Sequence, residues 1–285
     1  MWRIFPMTRL LPALAILAVG ATADAAPYAE SRAGEAATPD TRATNGFYAP
    51  PGYDGLDPHN FYFTRAAYTG GRFGRYGGRG GRGGGGGSWQ TDYPKADRQF
   101  LAVLKRLTGV DAYEYEHPVR LDDPELRRFP FLYAVEVGHM SMTDSEVKGL
   151  RDFLLAGGFL VCDDFWGTYE WANFQEQMQR VLPEYPIVDL PKDHPIFSSF
   201  YDVRDVIQVP NVNQGIYGGP TYEQDGYDPH VRGIFDDKGR LLVVINWNTD
   251  MGDGWEWAEQ PRYPLRYSSY AYRMGANYIV YSMSH

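Results

Sequence analysis

The chain has a single cysteine in 285 residues, Cys162, so no intrachain disulfide can form and stability has to come from a buried core. It is also short of positive charge. Lys and Arg number 27 against 36 Asp and Glu, a formal charge of −9, which disfavours nucleic acid or an anionic membrane as a general partner. Site signatures are missing as well. There is no His-Glu-x-x-His, no cysteine pair and no calcium-loop pattern, and glycine pairs such as Gly218-Gly219 form neither a phosphate loop nor a dinucleotide fingerprint. No metal and no cofactor is therefore expected from spacing, and any metal would have to be assembled from distant residues. The apolar run at residues 10–19 is shorter than the ~20 residues a membrane span needs and contains Pro12. With Arg3 and Arg9 ahead of it and Ala23-Asp24-Ala25 behind, it reads as a secretory signal peptide over residues 1–25. The expected product is exported, periplasmic or extracellular, with no membrane span once the leader is removed.

What is present divides clearly. Residues 26–59, rich in Ala, Pro, Gly and Thr without a period, read as a disordered lead-in. Residues 60–285 read as one domain, interrupted at 70–87 by a glycine tract carrying Arg72, Arg75, Arg79 and Arg82. Phe73 and Tyr76 in that tract are compatible with single-stranded nucleic acid, but the acidic remainder and export favour a flexible insertion, and no specific nucleic acid is expected.

Beyond the tract, residues 96–108 place Phe100, Leu101, Val103, Leu104 and Leu107 at helical spacing before Gly109. Strands are expected at 61–64, 112–119, 131–137, 159–162, 187–190 and 241–245. Helices are expected after the Thr143/Glu146 capping box, at 171–181 and at 265–283. Strands alternating with helices imply a three-layer α/β sandwich, a mainly parallel sheet with helices on both faces.

Ligands of such sheets bind beyond the carboxyl ends of the strands. Those ends bring His139, the pair Asp163-Asp164, and Asn246 with Asn248 to one edge. Asp163, Asp164 and His139 are the candidate catalytic residues. Trp89, Asp92 and Tyr93, on the loop after the first strand, and Trp166, Asn246 and Trp247 are the candidate ligand-binding residues. Successive side chains on a strand point in opposite directions, so one aspartate of the pair faces the cleft; the competing reading has one capping a helix and the other pairing with an arginine. His194, before Pro195, reads as a turn residue. Residues 247–257 mix tryptophans with Asp250, Asp253 and Glu256, as a lid or a packed Ω-like loop.

The motifs Phe61-Tyr62-Phe63-Thr64-Arg65, Trp89-Gln90-Thr91-Asp92-Tyr93-Pro94-Lys95-Ala96-Asp97, Gly157-Gly158 through Asp163-Asp164, and Asp193-His194-Pro195-Ile196-Phe197 together resemble the bacterial family called domain of unknown function 4159, over residues 60–285. That resemblance implies a class I glutamine amidotransferase-like (flavodoxin-like) fold and no established activity. True amidotransferases use a cysteine nucleophile on a strand-to-helix elbow, served by a His-x-Glu pair. Here Cys162 precedes two aspartates, which raise a thiol pKa, and no His-x-Glu follows. The expected function is binding of a small molecule or an envelope protein rather than catalysis, with an envelope hydrolase using Asp163 or Asp164 as base or metal ligand as the alternative.

Overall fold

Uninterrupted apolar stretches such as Phe131-Leu132-Tyr133-Ala134-Val135 suit strands covered on both faces, and the architecture uses them so. The structure, a computed structural model, describes residues 61–70 and 88–284. The expected signal peptide and lead-in, and nearly all of the Gly/Arg tract, lie outside the described residues.

The order of elements is β1 (Thr64–Ala67), α1 (Lys95–Thr108), β2 (His117–Arg120), β3 (Phe131–Val135), α2 (Asp144–Leu155), β4 (Phe159–Asp163), α3 (Gly167–Val181), β5 (Ile187–Asp189), α4 (Val212–Tyr217), β6 (His230–Phe235), β7 (Leu241–Trp247), α5 (Met251–Glu256) and α6 (Leu265–Ser284). One seven-stranded sheet runs β2-β1-β3-β4-β7-β6-β5. From β2 to β7 the neighbours are parallel, while β6 lies antiparallel to both β7 and β5. The α/β class and mostly parallel sheet expected from the alternation are thus present. β6 was not foreseen, because Val231-Arg232-Gly233 breaks the apolar run that marks the other central strands.

The period-2 alternation of the strands sorts the core into two layers. Phe131, Tyr133, Val135, Phe159 and Val161 pack with Phe100, Leu104, Trp255, Tyr267, Met274 and Tyr278. Their neighbours Leu132, Ala134, Leu160 and Cys162 face the other way, onto Leu150, Phe153, Phe174 and Met178. Helices α1, α5 and α6 therefore cover one face and α2 and α3 the other. The Thr143/Glu146 capping box forms at the start of α2 as read from sequence. Residues 251–256, inside the segment read as a lid or Ω-like loop, instead form α5, with Trp255 wholly buried. Among the described residues no helix is long and apolar enough to cross a membrane.

Candidate functional site

Strand β4 pairs β3 with Ala134 opposite Cys162 and Val135 opposite Asp163, so both strands end level with each other. The chain then turns sharply. Glu136 (φ 53°), Asp164 (φ 51°), Asn248 (φ 62°) and Asp92 (φ 60°) all adopt left-handed backbone, four of the five non-glycine residues in the described chain that do so. Such conformations persist only where surrounding contacts impose them, and they collect at functional edges. Their effect here is to fold the ends of β3, β4 and β7 and the Asp92 loop over one another.

The two adjacent aspartates separate as the strand geometry requires. Asp163 lies inside: its Oδ2 accepts from the Tyr133 hydroxyl at 2.8 Å and from the backbone N–H groups of Met251 and Gly252 at 3.0 and 3.1 Å. It therefore caps a helix, but the helix is α5 rather than the one that follows it in sequence. The start of α3 is held by other side chains, with Asn248, Asp225 and Glu170 accepting from Gly167, Thr168 and Trp166. Asp164 turns the other way and is also buried, its Oδ1 accepting from the Trp166 indole at 3.0 Å.

Around Asp164 stands a group of acids drawn from the whole chain. Asp92, Asp164 and Asp250 place carboxylate oxygens within 4.8 Å of one another, and Asp92, Asp253 and Glu256 do the same. Glu136 and Glu170 continue the group, with His139 Nε2 3.4 Å from Glu136 and 3.5 Å from Glu170. Among the described residues none of these carboxylates has Lys or Arg within ion-pair distance. The charge balance of the site is accordingly one-sided. Asp92 is pushed well above the usual carboxylate range by burial, then by Asp253 and Glu256; Asp164 by burial, then Glu136 and Asp92; Asp250 by burial, then Asp164 and Asp253. Glu136 is pushed up to about 8 by burial and by Glu170, and Asp163 to about 7 by burial, against its hydrogen bonds.

The sign of the resulting pH dependence follows. A carboxyl with a raised pKa keeps its proton in the folded state where the unfolded chain has lost it, so its contribution to stability is present at low pH and lost as pH rises through the folded value. In chelator-containing buffer of fixed ionic strength, the melting temperature is expected to rise as pH falls from about 8 to about 5. Below about pH 4 the trend reverses, as carboxylates with lowered pKa, such as Asp122 on Arg120 and Asp225 on Thr168, lose their interactions. A profile flat between pH 5 and 8 would contradict the cluster's electrostatics.

The other predicted residues are placed as follows. Asp92 joins the cluster, and Tyr93 packs against Trp89 and the Arg65 guanidinium. Trp89 and Trp166 are buried, Trp89 packing on Tyr93 and Trp166 donating its indole N–H to Asp164. Asn246 turns inward, with its amide on the Cys162 carbonyl and its oxygen accepting from Tyr278. Trp247 is half-buried, stacked on His230 and flanked by Arg232. His194 accepts from the Ile196 N–H in a turn. The Cys162 thiol is buried and pushed well up, by burial first and Asp163 second, the opposite of the electropositive, accessible setting that activates a cysteine.

Glu136 and Glu170 were not singled out by sequence, and Asp250 was noted only within the acid-and-tryptophan segment 247–257, not as a site residue. Glu136 sits in Val135-Glu136-Val137, which reads as continuing strand; only its backbone turn reveals it. Asp250 is visible as an acid ahead of a short helical stretch, and its Oδ1 does accept from the Asp253 N–H at 2.7 Å.

A support beneath the site joins two of the sequence motifs. Arg65 and Asp97, both without solvent exposure, form a bidentate pair at 2.8 and 2.6 Å. Nη1 of Arg65 donates to the carbonyls of Trp89 and Thr91 at 3.0 and 2.9 Å, fixing the backbone immediately before Asp92.

The family described as Domain of unknown function (DUF4159) matches residues 75–283. The chain belongs to this family. The match takes in every acidic residue of the cluster and Asp97; Arg65 lies ahead of it. No curated protein matches the chain.

Proposed function

We propose that this DUF4159 protein is an exported binding domain whose strand-end cleft takes a positively charged ligand, on an amidotransferase-like scaffold that has lost amidotransferase chemistry. The observation that carries the reading is the gathering of Asp92, Glu136, Asp164, Glu170, Asp250 and Glu256 without a Lys or Arg partner among the described residues. Holding carboxylates this close without a counter-charge is unfavourable, and a bound cation removes the repulsion. The buried, high-pKa thiol and the absence of a His-x-Glu pair support the loss of amidotransferase chemistry. The leader-like residues 1–25 support export, which cleavage mapping of the protein recovered from its host would test.

The binding test is a thermal-shift panel of divalent metal salts, linear di- and polyamines and neutral oligosaccharides at fixed ionic strength. Cationic members are expected to raise the melting temperature, with the rise lost in Asp164→Asn. A rise with neutral saccharides alone would contradict the reading. Glu136, with a pKa pushed up to about 8 beside His139, favours a second one, a hydrolase with an acid–base pair at this rim. That version requires turnover of a peptide or glycoside reporter that Asp164→Asn abolishes; a wild type without turnover removes it.

A further inference from the structure

We propose that Asp92, Asp164 and Asp250 together ligate one hard divalent cation. This rests on the reading of the rim as a cleft for positive charge and narrows that charge to a metal ion. One oxygen from each residue lies within 4.8 Å of the others. Two ligands facing each other across Ca²⁺ at ~2.4 Å are separated by about that distance and neighbouring ligands by less, so an ion that draws the three oxygens slightly together fits between them, more tightly for Mg²⁺ or Mn²⁺.

Clustered acids alone do not make a site, and the second observation is Asp92 Oδ2. This oxygen is sealed from solvent and accepts from no N–H or hydroxyl donor among the described residues; its other close neighbour is a further acid, Glu256. A sealed carboxylate oxygen without a partner is unfavourable, and a cation is one group that resolves it. Its direction is set by Gly252. A Cβ placed there would lie 2.5 Å from Asp92 Oδ2 and 3.4 Å from both Asp250 Oδ1 and the Tyr133 hydroxyl. The unpartnered oxygen thus points into the same small space as Asp250, and glycine at position 252 keeps that space open.

The other two ligands are oriented and still have an oxygen to offer. Asp164 holds Oδ1 on the Trp166 indole, and Asp250 holds Oδ1 on the Asp253 N–H, which orients both carboxylates and leaves lone pairs on each for the ion. The neighbouring group of Asp92, Asp253 and Glu256 is less suited, because Asp253 already accepts with both oxygens, from Val212 N–H and from the Trp257 indole. An all-carboxylate donor set selects Ca²⁺, Mg²⁺ or Mn²⁺ over Zn²⁺ or Cu²⁺, which favour nitrogen and sulfur. The fixed carboxylates come from three separate parts of the chain, so the ion would tie the Asp92 loop, the end of β4 and the start of α5 together.

The test uses the full chain stripped with chelator and titrated with Tb³⁺ under tryptophan excitation, with Ca²⁺ as competitor. Trp166, in contact with Asp164, is placed to sensitise the ion. Saturable emission displaced by Ca²⁺ is expected, with Ca²⁺ also raising the melting temperature. Asp164→Asn and Asp250→Asn are each expected to weaken binding by about tenfold or more. Gly252→Ala, which leaves all the carboxylates in place but drives a methyl onto Asp92 Oδ2, should weaken it as well. Circular dichroism establishes that each variant is folded, and the wild-type titration stands whatever the variants do. Absence of both sensitised emission and a Ca²⁺-dependent shift in the wild type would overturn the proposal, as would unchanged affinity in folded Asp164→Asn and Asp250→Asn. Wild type that responds to a polyamine but not to Tb³⁺ or Ca²⁺ would overturn the metal assignment and leave the cationic-ligand reading standing. Response to neither would overturn both.

Discussion

Asp163→Ala is expected to lower unfolding free energy by about 3–5 kcal/mol, whereas Asp164→Asn, one residue along, leaves the metal-free protein as stable as the wild type or more so. The difference lies in what each side chain touches. Removing the Asp163 carboxylate strands three donors, the Tyr133 hydroxyl and the N–H groups of Met251 and Gly252, in a region closed to water. Each stranded buried donor costs about 1–3 kcal/mol, less whatever relaxation recovers. Asp163→Asn keeps an acceptor oxygen, and Asp163 already favours its neutral form up to about pH 7, so the amide should recover much of the loss. Asp164 instead repels Glu136, Asp92 and Asp163, and neutralising it relieves that repulsion. Urea denaturation at pH 7.5 with chelator present measures both. An Asp163→Ala protein within about 1 kcal/mol of wild type would remove its role as the anchor of α5.

The second large effect concerns Arg65 and Asp97. Asp97→Ala leaves the Arg65 guanidinium buried without its carboxylate and is expected to cost about 3–5 kcal/mol. The double replacement Arg65→Met with Asp97→Leu removes both charges and should recover much of that stability, since an apolar pair of similar volume fills the same space. Function is not expected to recover with it. The carbonyls of Trp89 and Thr91 lose their donor in the double variant, so the loop carrying Asp92 is no longer fixed. Stability and cation affinity should therefore separate: the single Asp97 variant loses both, and the double variant regains only the first. Equal recovery of both, by denaturation and cation titration, would show that the pair supports the fold without positioning Asp92.

Much of this arrangement was legible in the sequence because it depends on local patterns. Apolar runs ending on polar residues located β3, β4 and β7, the Thr143/Glu146 spacing located α2, and the wide apolar face of residues 265–283 located α6. The divergence of Asp163 from Asp164 also followed from strand geometry, because alternate residues face opposite layers. The helix that Asp163 caps was not legible. It begins 88 residues later, at Met251, and is brought near only by β7 inserting beside β4. The carboxylate group was hidden for the same reason. Asp92, Asp164 and Asp250 are far apart in the chain, and only parallel strands with level ends unite them. Trp89 and Trp166 were read as candidate ligand-binding residues because large rings near strand ends suit binding or packing; both are buried. The left-handed turn at Glu136 had no sequence marker, since glutamate is not a residue that favours that conformation.

The central claim, that this rim is a cation site built from three distant carboxylates, is tested most directly by anomalous scattering from crystals of the protein soaked with Mn²⁺. The account predicts an anomalous peak within ligation distance of Asp92, Asp164 and Asp250, absent from crystals of Asp164→Asn. A map with no peak there, in crystals that bind Mn²⁺ elsewhere, would contradict it.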